Sequence, residues 1–228
     1  MPELGLALYT HRGTRAIQRL VEFAPSTGGL ALWVEHQDAS GDAPLIATDG
    51  RCIRYGEAFE VLPLAQQAGW VAHEVLHIAL RHPQRKRELH QLLGDVDAQL
   101  FNICADAIVN SALGRLGWLR LAPRAVRLEE LLASALRLNL DVESALLQWD
   151  VERLYRAIDD RGGRDGQAQR GSHSASGSAQ AETARTRADG PIAKRVREMG
   201  AHGPRDLVAA AQAGGDDSPE DEAEATRE

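Results

Sequence analysis

The sequence predicts an α+β chain: a mostly helical body with an N-terminal β-ribbon, followed by a disordered tail. Three observations point there. Short apolar runs flank Asp49-Gly50, a hairpin-type dipeptide, within residues 44–56. From Pro63 the apolar pattern lengthens into helical segments. Beyond about residue 160 the composition turns Gly-, Ser-, Ala- and Arg-rich, and no aromatic residue follows Tyr155. These features divide the chain into a folded part, 1–160, and a tail, 161–228.

The elements follow in order. Residues 10–23 place Ala16, Ile17, Leu20 and Val21 on one helical face. Residues 28–36, GGLALWVEH, read as a strand, and the segment around Asp49-Gly50 as two short strand pieces. Pro63 suits the first turn of a helix that is apolar almost all round from Trp70 to Leu80, so this helix is expected to be buried. Residues 83–91, PQRKRELHQ, read as a charged connector. The next helix opens on Asp95 and Asp97 and closes at Gly114 and Gly117, as the helix dipole and C-terminal preferences favour. Two more amphipathic helices cover 122–138 and 141–160, the second with Asp141 as N-cap and Glu143 in its first turn. The tail has almost no large apolar side chains and cannot offset its ordering entropy. Within it, residues 191–200 and 204–214 read as short transient helices, and the end is acidic.

Composition excludes several classes. The net charge of −7 argues against a broad electrostatic grip on nucleic acid. No run of 18 apolar residues is present, and the N-terminus lacks the basic-then-apolar layout of a signal peptide. Cys52 and Cys104 make no disulfide framework. The expectation is a cytoplasmic protein that binds neither membrane nor nucleic acid.

The chemistry concentrates in His73-Glu74-Val75-Leu76-His77. On a helix, positions i and i+4 lie about 40° apart, so both imidazoles point to one side and can bind one Zn²⁺. Glu74 beside them can take a proton from a water activated by the metal. A catalytic zinc needs a third protein ligand. His82 lies nine residues after His73, about 180° round a continuous helix, and reads as a polar residue at the helix end. Asn102, Asp106 and Asn110, four apart, form a polar stripe on an otherwise apolar helix. If that helix packs antiparallel to the first, Asp106 supplies the third ligand, with Asn102 and Asn110 bonded behind the ligands. Glu88, His90, Asp95 and Asp97 are outside candidates on the connector. Cys104, Trp70 and Trp118 read as core, and Cys52 has no zinc-ligand spacing. Tyr55 is the ribbon's candidate oxyanion stabiliser, against a packed tyrosine.

The segments ATDGRCIRYGEAF, AHEVLHIALRHPQR and FNICADAIVN, in this order, resemble the bacterial "putative metallopeptidase domain" that commonly precedes a von Willebrand factor A-like domain and is linked with MoxR-type AAA+ ATPases. The resemblance covers about residues 10–160. It implies a zincin-like fold, zinc on His73 and His77, Glu74 as general base and Asp106 as third ligand. Phe101 stands where the family usually has Trp, and 161–228 reads as a tail and not as an A-like domain. By analogy with zincins, residues 44–55 would receive an extended peptide.

Two functions follow. The first is a zinc-dependent metallopeptidase acting on a peptide or protein substrate. The second is a catalytically silent, zinc-stabilised interaction module whose tail recruits a von Willebrand A-like protein or AAA+ ATPase.

Overall fold

The computed structural model describes residues 10–122, 124–161 and 189–201. The described chain is α+β and mostly helical. Two short helices, α1 (Thr14–Phe23) and α2 (Pro25–Ala31), lead into a sheet of β1 (Glu35–Asp38), β2 (Ile46–Thr48) and β3 (Cys52–Tyr55). Then come α3 (Leu64–Ala79), α4 (His82–Leu93), α5 (Ala98–Leu113), α6 (Leu128–Leu136), α7 (Val142–Gln148), α8 (Val151–Ile158) and α9 (Pro191–Gly200). No helix among the described residues is long and apolar enough to cross a membrane.

In the sheet β3 is central: it pairs parallel with β1 and antiparallel with β2. The β2–β3 turn is fixed by its own side chains. Asp49 accepts from the backbone N–H groups of Arg51 and Cys52, and the Thr48 hydroxyl donates to the Cys52 carbonyl. Gly50 at φ +95° closes it, in the region where a side chain is strained, and its Cα faces the Pro83 ring of α4. The turn is thereby seated against the start of α4. Because β3 is central, only β2 within residues 44–55 lies at a sheet edge.

Four expectations need correction. Residues 28–36 are not one strand. Pro25 starts α2, which runs to Ala31, and β1 begins only at Glu35. Leu32 and Trp33 between them are exposed, so this short apolar run is not core. Val21 also faces solvent, while Ala16, Ile17 and Leu20 are buried. The charged connector is helix α4: Arg81 adopts the left-handed conformation, and Pro83 sits in the first turn. The segment 141–160 is two helices, because Asp150 caps a second one by accepting from the Arg153 N–H. Asp141 caps α7 as expected, accepting from the Ser144 N–H.

The core has two apolar clusters, and α5 serves both. Val109 and Leu113 of α5 join α1, the sheet and α3. Phe101, Cys104, Ala105 and Ile108 join α6, α8 and α9. Every residue from Leu100 to Ser111 is accordingly buried. Gly69 in mid-α3 lets a second backbone close on the helix, since a Cβ there would strike the Arg120 carbonyl.

Helix α9 lies within the segment read as tail, yet it packs on the domain. Ala193 and Val196 are fully buried in the second cluster, with Ile192 and Met199 beside them. Asp160 caps it from a distance, accepting from the backbone N–H groups of Ile192 and Ala193 at 2.8 and 2.9 Å. Arg197 donates to Asp97, which itself caps α5. The remainder of 161–228 beyond residues 161 and 189–201, including 204–214, lies outside the described residues. Asp160→Ala removes two bonds of the α9 N-terminus. It is expected to cost about 1 kcal/mol and to raise amide exchange across 191–200 selectively, read by hydrogen–deuterium exchange. Unchanged protection there would contradict the capping role.

Candidate metal centre

Helices α3 and α5 pack antiparallel, as the pairings run in opposite senses: His73 meets Asn110 while His77 meets Asp106. The sequence explains the contact. Both helices are apolar nearly all round, so each is buried by its neighbours, and the polar residues at i, i+4 spacing fall on the shared face. His73, Glu74, His77, Asp106 and Asn110 are all buried.

The structure brings His73, His77 and Asp106 together, with one ligand atom from each within 4.8 Å of the others. His77 Nε2 lies 2.9 Å from His73 Nε2 and 3.2 Å from Asp106 Oδ1, and His73 Nε2 lies 3.5 Å from that oxygen. Donor atoms around a tetrahedral metal with bonds of about 2.0–2.1 Å sit about 3.3–3.4 Å apart. The two nitrogen–oxygen distances match that spacing, while the two imidazole nitrogens stand closer than it and would part slightly around a metal.

Proton inventory points the same way. Asn110 Nδ2 donates to the Val126 carbonyl at 3.0 Å, so its Oδ1 is the atom that faces His73 Nδ1 at 3.1 Å. An amide oxygen only accepts, so His73 carries a proton on Nδ1, and whenever the ring is neutral the lone pair is on Nε2. Burial raises the Asp106 carboxyl, but hydrogen bonds and charge from His73 and His77 outweigh it and hold it below the ordinary carboxylate range. Burial, with His73 adding to it, pushes His77 down to about 4. The set is two imidazoles and one carboxylate around a common point, an arrangement suited to a cation.

The other candidates separate clearly. Glu74 is fully buried one position after His73. Burial pushes the Tyr55 phenol well up, and the Glu74 charge pushes it further. Tyr55 itself is core: its hydroxyl lies 2.8 Å from His36 Nδ1, and the other His36 nitrogen donates to the Ala31 carbonyl, so Tyr55 is the donor to His36. Asn102 is buried on α5. Glu88 and His90 face outward on α4, Asp95 pairs with Arg161, and Asp97 caps α5. Both cysteines are buried and free.

His82 departs most from expectation. It is buried, and its Nδ1 lies 2.9 Å from His77 Nδ1. An angle of about 180° from His73 holds only on one continuous helix. The chain instead turns at left-handed Arg81 (φ 58°) and restarts as α4, which swings His82 back behind His77. The signal was Pro83, since a residue before proline is disfavoured in α-helix.

The histidine shifts set a pH dependence. In the unfolded chain His77 titrates near 6.5, and in the fold near 4. Between these values the unfolded chain binds a proton that the native state refuses, so stability falls as pH drops through the window. Asp106 acts in the same sense at lower pH, its contribution being lost as pH falls through its depressed folded value. Chelator-treated protein is expected to unfold at lower urea concentration at pH 5.0 than at pH 7.5. An equal or higher midpoint at pH 5.0 would contradict the burial argument.

No curated protein and no solved structure matches the chain. A family model described as "Putative metallopeptidase domain" matches residues 8–228. That span includes α9 together with both clusters and the His73, His77 and Asp106 group, and the chain belongs to this family.

Proposed function

We propose that this protein is a zinc-dependent peptidase with His73, His77 and Asp106 as metal ligands and Glu74 as general base. The observation that carries it is the buried triangle of His73 Nε2, His77 Nε2 and Asp106 Oδ1 at metal-ligand spacing. Three protein ligands leave a fourth position for chemistry, as catalytic zinc sites do. Imidazole and carboxylate together suit zinc among the divalent metals. When bound, the metal polarises the scissile carbonyl and makes a neighbouring water more acidic. Glu74 takes the proton of the attacking water and passes it to the leaving amine nitrogen. His73, held by Asn110, and Asp106, held ionised, keep the ligand atoms aimed at one point. Edge strand β2 is the part of residues 44–55 where an added peptide strand would pair, and it contacts α3. The peptide substrate and a cytoplasmic setting belong to the same proposal.

Two substitutions test it separately. Asp106→Ala should lower zinc content, measured by mass spectrometry on protein purified without added metal, from about one per chain to a small fraction. Full occupancy in that variant would remove Asp106 from the ligand set. Glu74→Gln should keep zinc and lose cleavage of a peptide library by at least about 100-fold. Equal cleavage by Glu74→Gln and wild type would exclude Glu74 as the base. Zinc with no cleavage in wild type would leave the metal a structural role.

A further inference from the structure

His82 is not a ligand in the triangle, but it stands directly behind one. Its Nδ1 is 2.9 Å from His77 Nδ1, and the two rings meet edge-on with centroids 4.9 Å apart. It is 1% exposed. Two ring nitrogens at that distance share one proton, so one donates and the other accepts. His77 Nε2 faces His73 and Asp106. Once a metal takes the lone pairs of both Nε2 atoms, displacing any proton that His77 and His73 share there, neutral His77 carries its proton on Nδ1. His82 Nδ1 is then the acceptor, and the His82 proton sits on Nε2.

We propose that His82 is a positioning residue for the metal: it accepts the Nδ1–H of His77 and holds that imidazole in the tautomer and orientation that present Nε2. The inference rests on the metal reading above. The partner of a metal-bound imidazole is most often a carboxylate, a carbonyl or a water. Here a neutral imidazole takes the part for His77, and the Asn110 amide takes it for His73. Neither adds negative charge, so Asp106 remains the sole anion of the ligand set. The geometry is built into the chain. Left-handed Arg81 and Pro83 fix where α4 begins, and His82 is its first residue. The Pro83 ring is in turn packed against Gly50 of the β2–β3 turn. The third histidine of the segment 73–82 therefore acts through the second.

The test uses the full 228-residue chain. Zinc affinity is measured by competition with a chromophoric chelator for wild type, His82→Leu and His82→Asn. Leucine keeps apolar bulk and removes the acceptor, whereas asparagine places an amide oxygen near the position of Nδ1. His82→Leu is expected to bind zinc about 10- to 100-fold more weakly. His82→Asn is expected to recover most of that loss, and the visible Co²⁺ spectrum should be perturbed in the leucine variant and restored in the asparagine variant. Long-range ¹H–¹⁵N NMR of zinc-loaded wild type should show His77 protonated at Nδ1 and His82 at Nε2, a readout that needs no variant to fold. Wild-type zinc affinity in His82→Leu, equal weakening in His82→Asn, or an unprotonated His77 Nδ1 would each overturn the role of His82 and leave the metal site standing. Wild type that takes up no zinc would overturn the metal reading and this inference together.

Discussion

The constraint on which the rest depends is the placement of an ionised carboxylate, Asp106, on a helix buried on every side. An unpaired charge in such a place is too costly to persist. Its neighbours on α3 hold it ionised, His73 and His77 being the groups that outweigh the penalty of burial. The arrangement is demanding in turn. The α3–α5 contact must bring two imidazoles and the carboxylate to one point, which fixes the rotation of each helix about its axis and their antiparallel sense. Since α5 also forms a wall of both apolar clusters, that register ties the N-terminal cluster to the C-terminal one. A cation at this point would join the two halves of the core as well as serve chemistry.

What was legible in the sequence was what depends on local spacing. His73 and His77 share a face because four residues make about one helical turn, and that holds wherever the helix packs. The stripe Asn102, Asp106, Asn110 was legible for the same reason, and its partner followed from the need to satisfy buried polar groups. Asp141 announced itself as a cap by its chemistry. What could not be read, or was read wrongly, depends on where the chain breaks. The run GGLALWVEH has no period long enough to separate strand from helix, and Pro25 was the better guide to α2. Asp150 and Pro83 mark helix starts at 151 and 82, and treating each flanking segment as continuous hid both breaks. The inward turn of His82 is the structural consequence of the second break.

The ribbon contributes to the site by its seat rather than by its side chains. Tyr55 commits its hydroxyl to His36, whose ring stacks on His11, so this polar group belongs to the N-terminal cluster. The Glu74 charge adds to the burial that pushes the Tyr55 phenol up. The Thr48-Asp49-Gly50 turn meets the site differently, through Gly50 against Pro83 at the head of α4. The turn, distant in sequence, thus meets the α3–α4 junction: Gly50 faces Pro83, Pro83 follows His82, and His82 touches His77.

The C-terminal side of the domain follows from the same accounting of buried groups. Ile192, Ala193, Val196 and Met199 recur at helical spacing, but the low-complexity sequence around them masks the signal. In the fold they cover α5 and α6, and a Cβ at Gly200 would strike Ile103. Removing this helix would uncover apolar surface of α5, the helix that carries Asp106. It would also take from Asp97, the α5 cap, its Arg197 partner, and leave Asp160 without the two N–H groups it accepts from. A domain that ended at residue 160 would lose the cover of the helix on which Asp106 stands, so α9 packs as part of the same core as the candidate site.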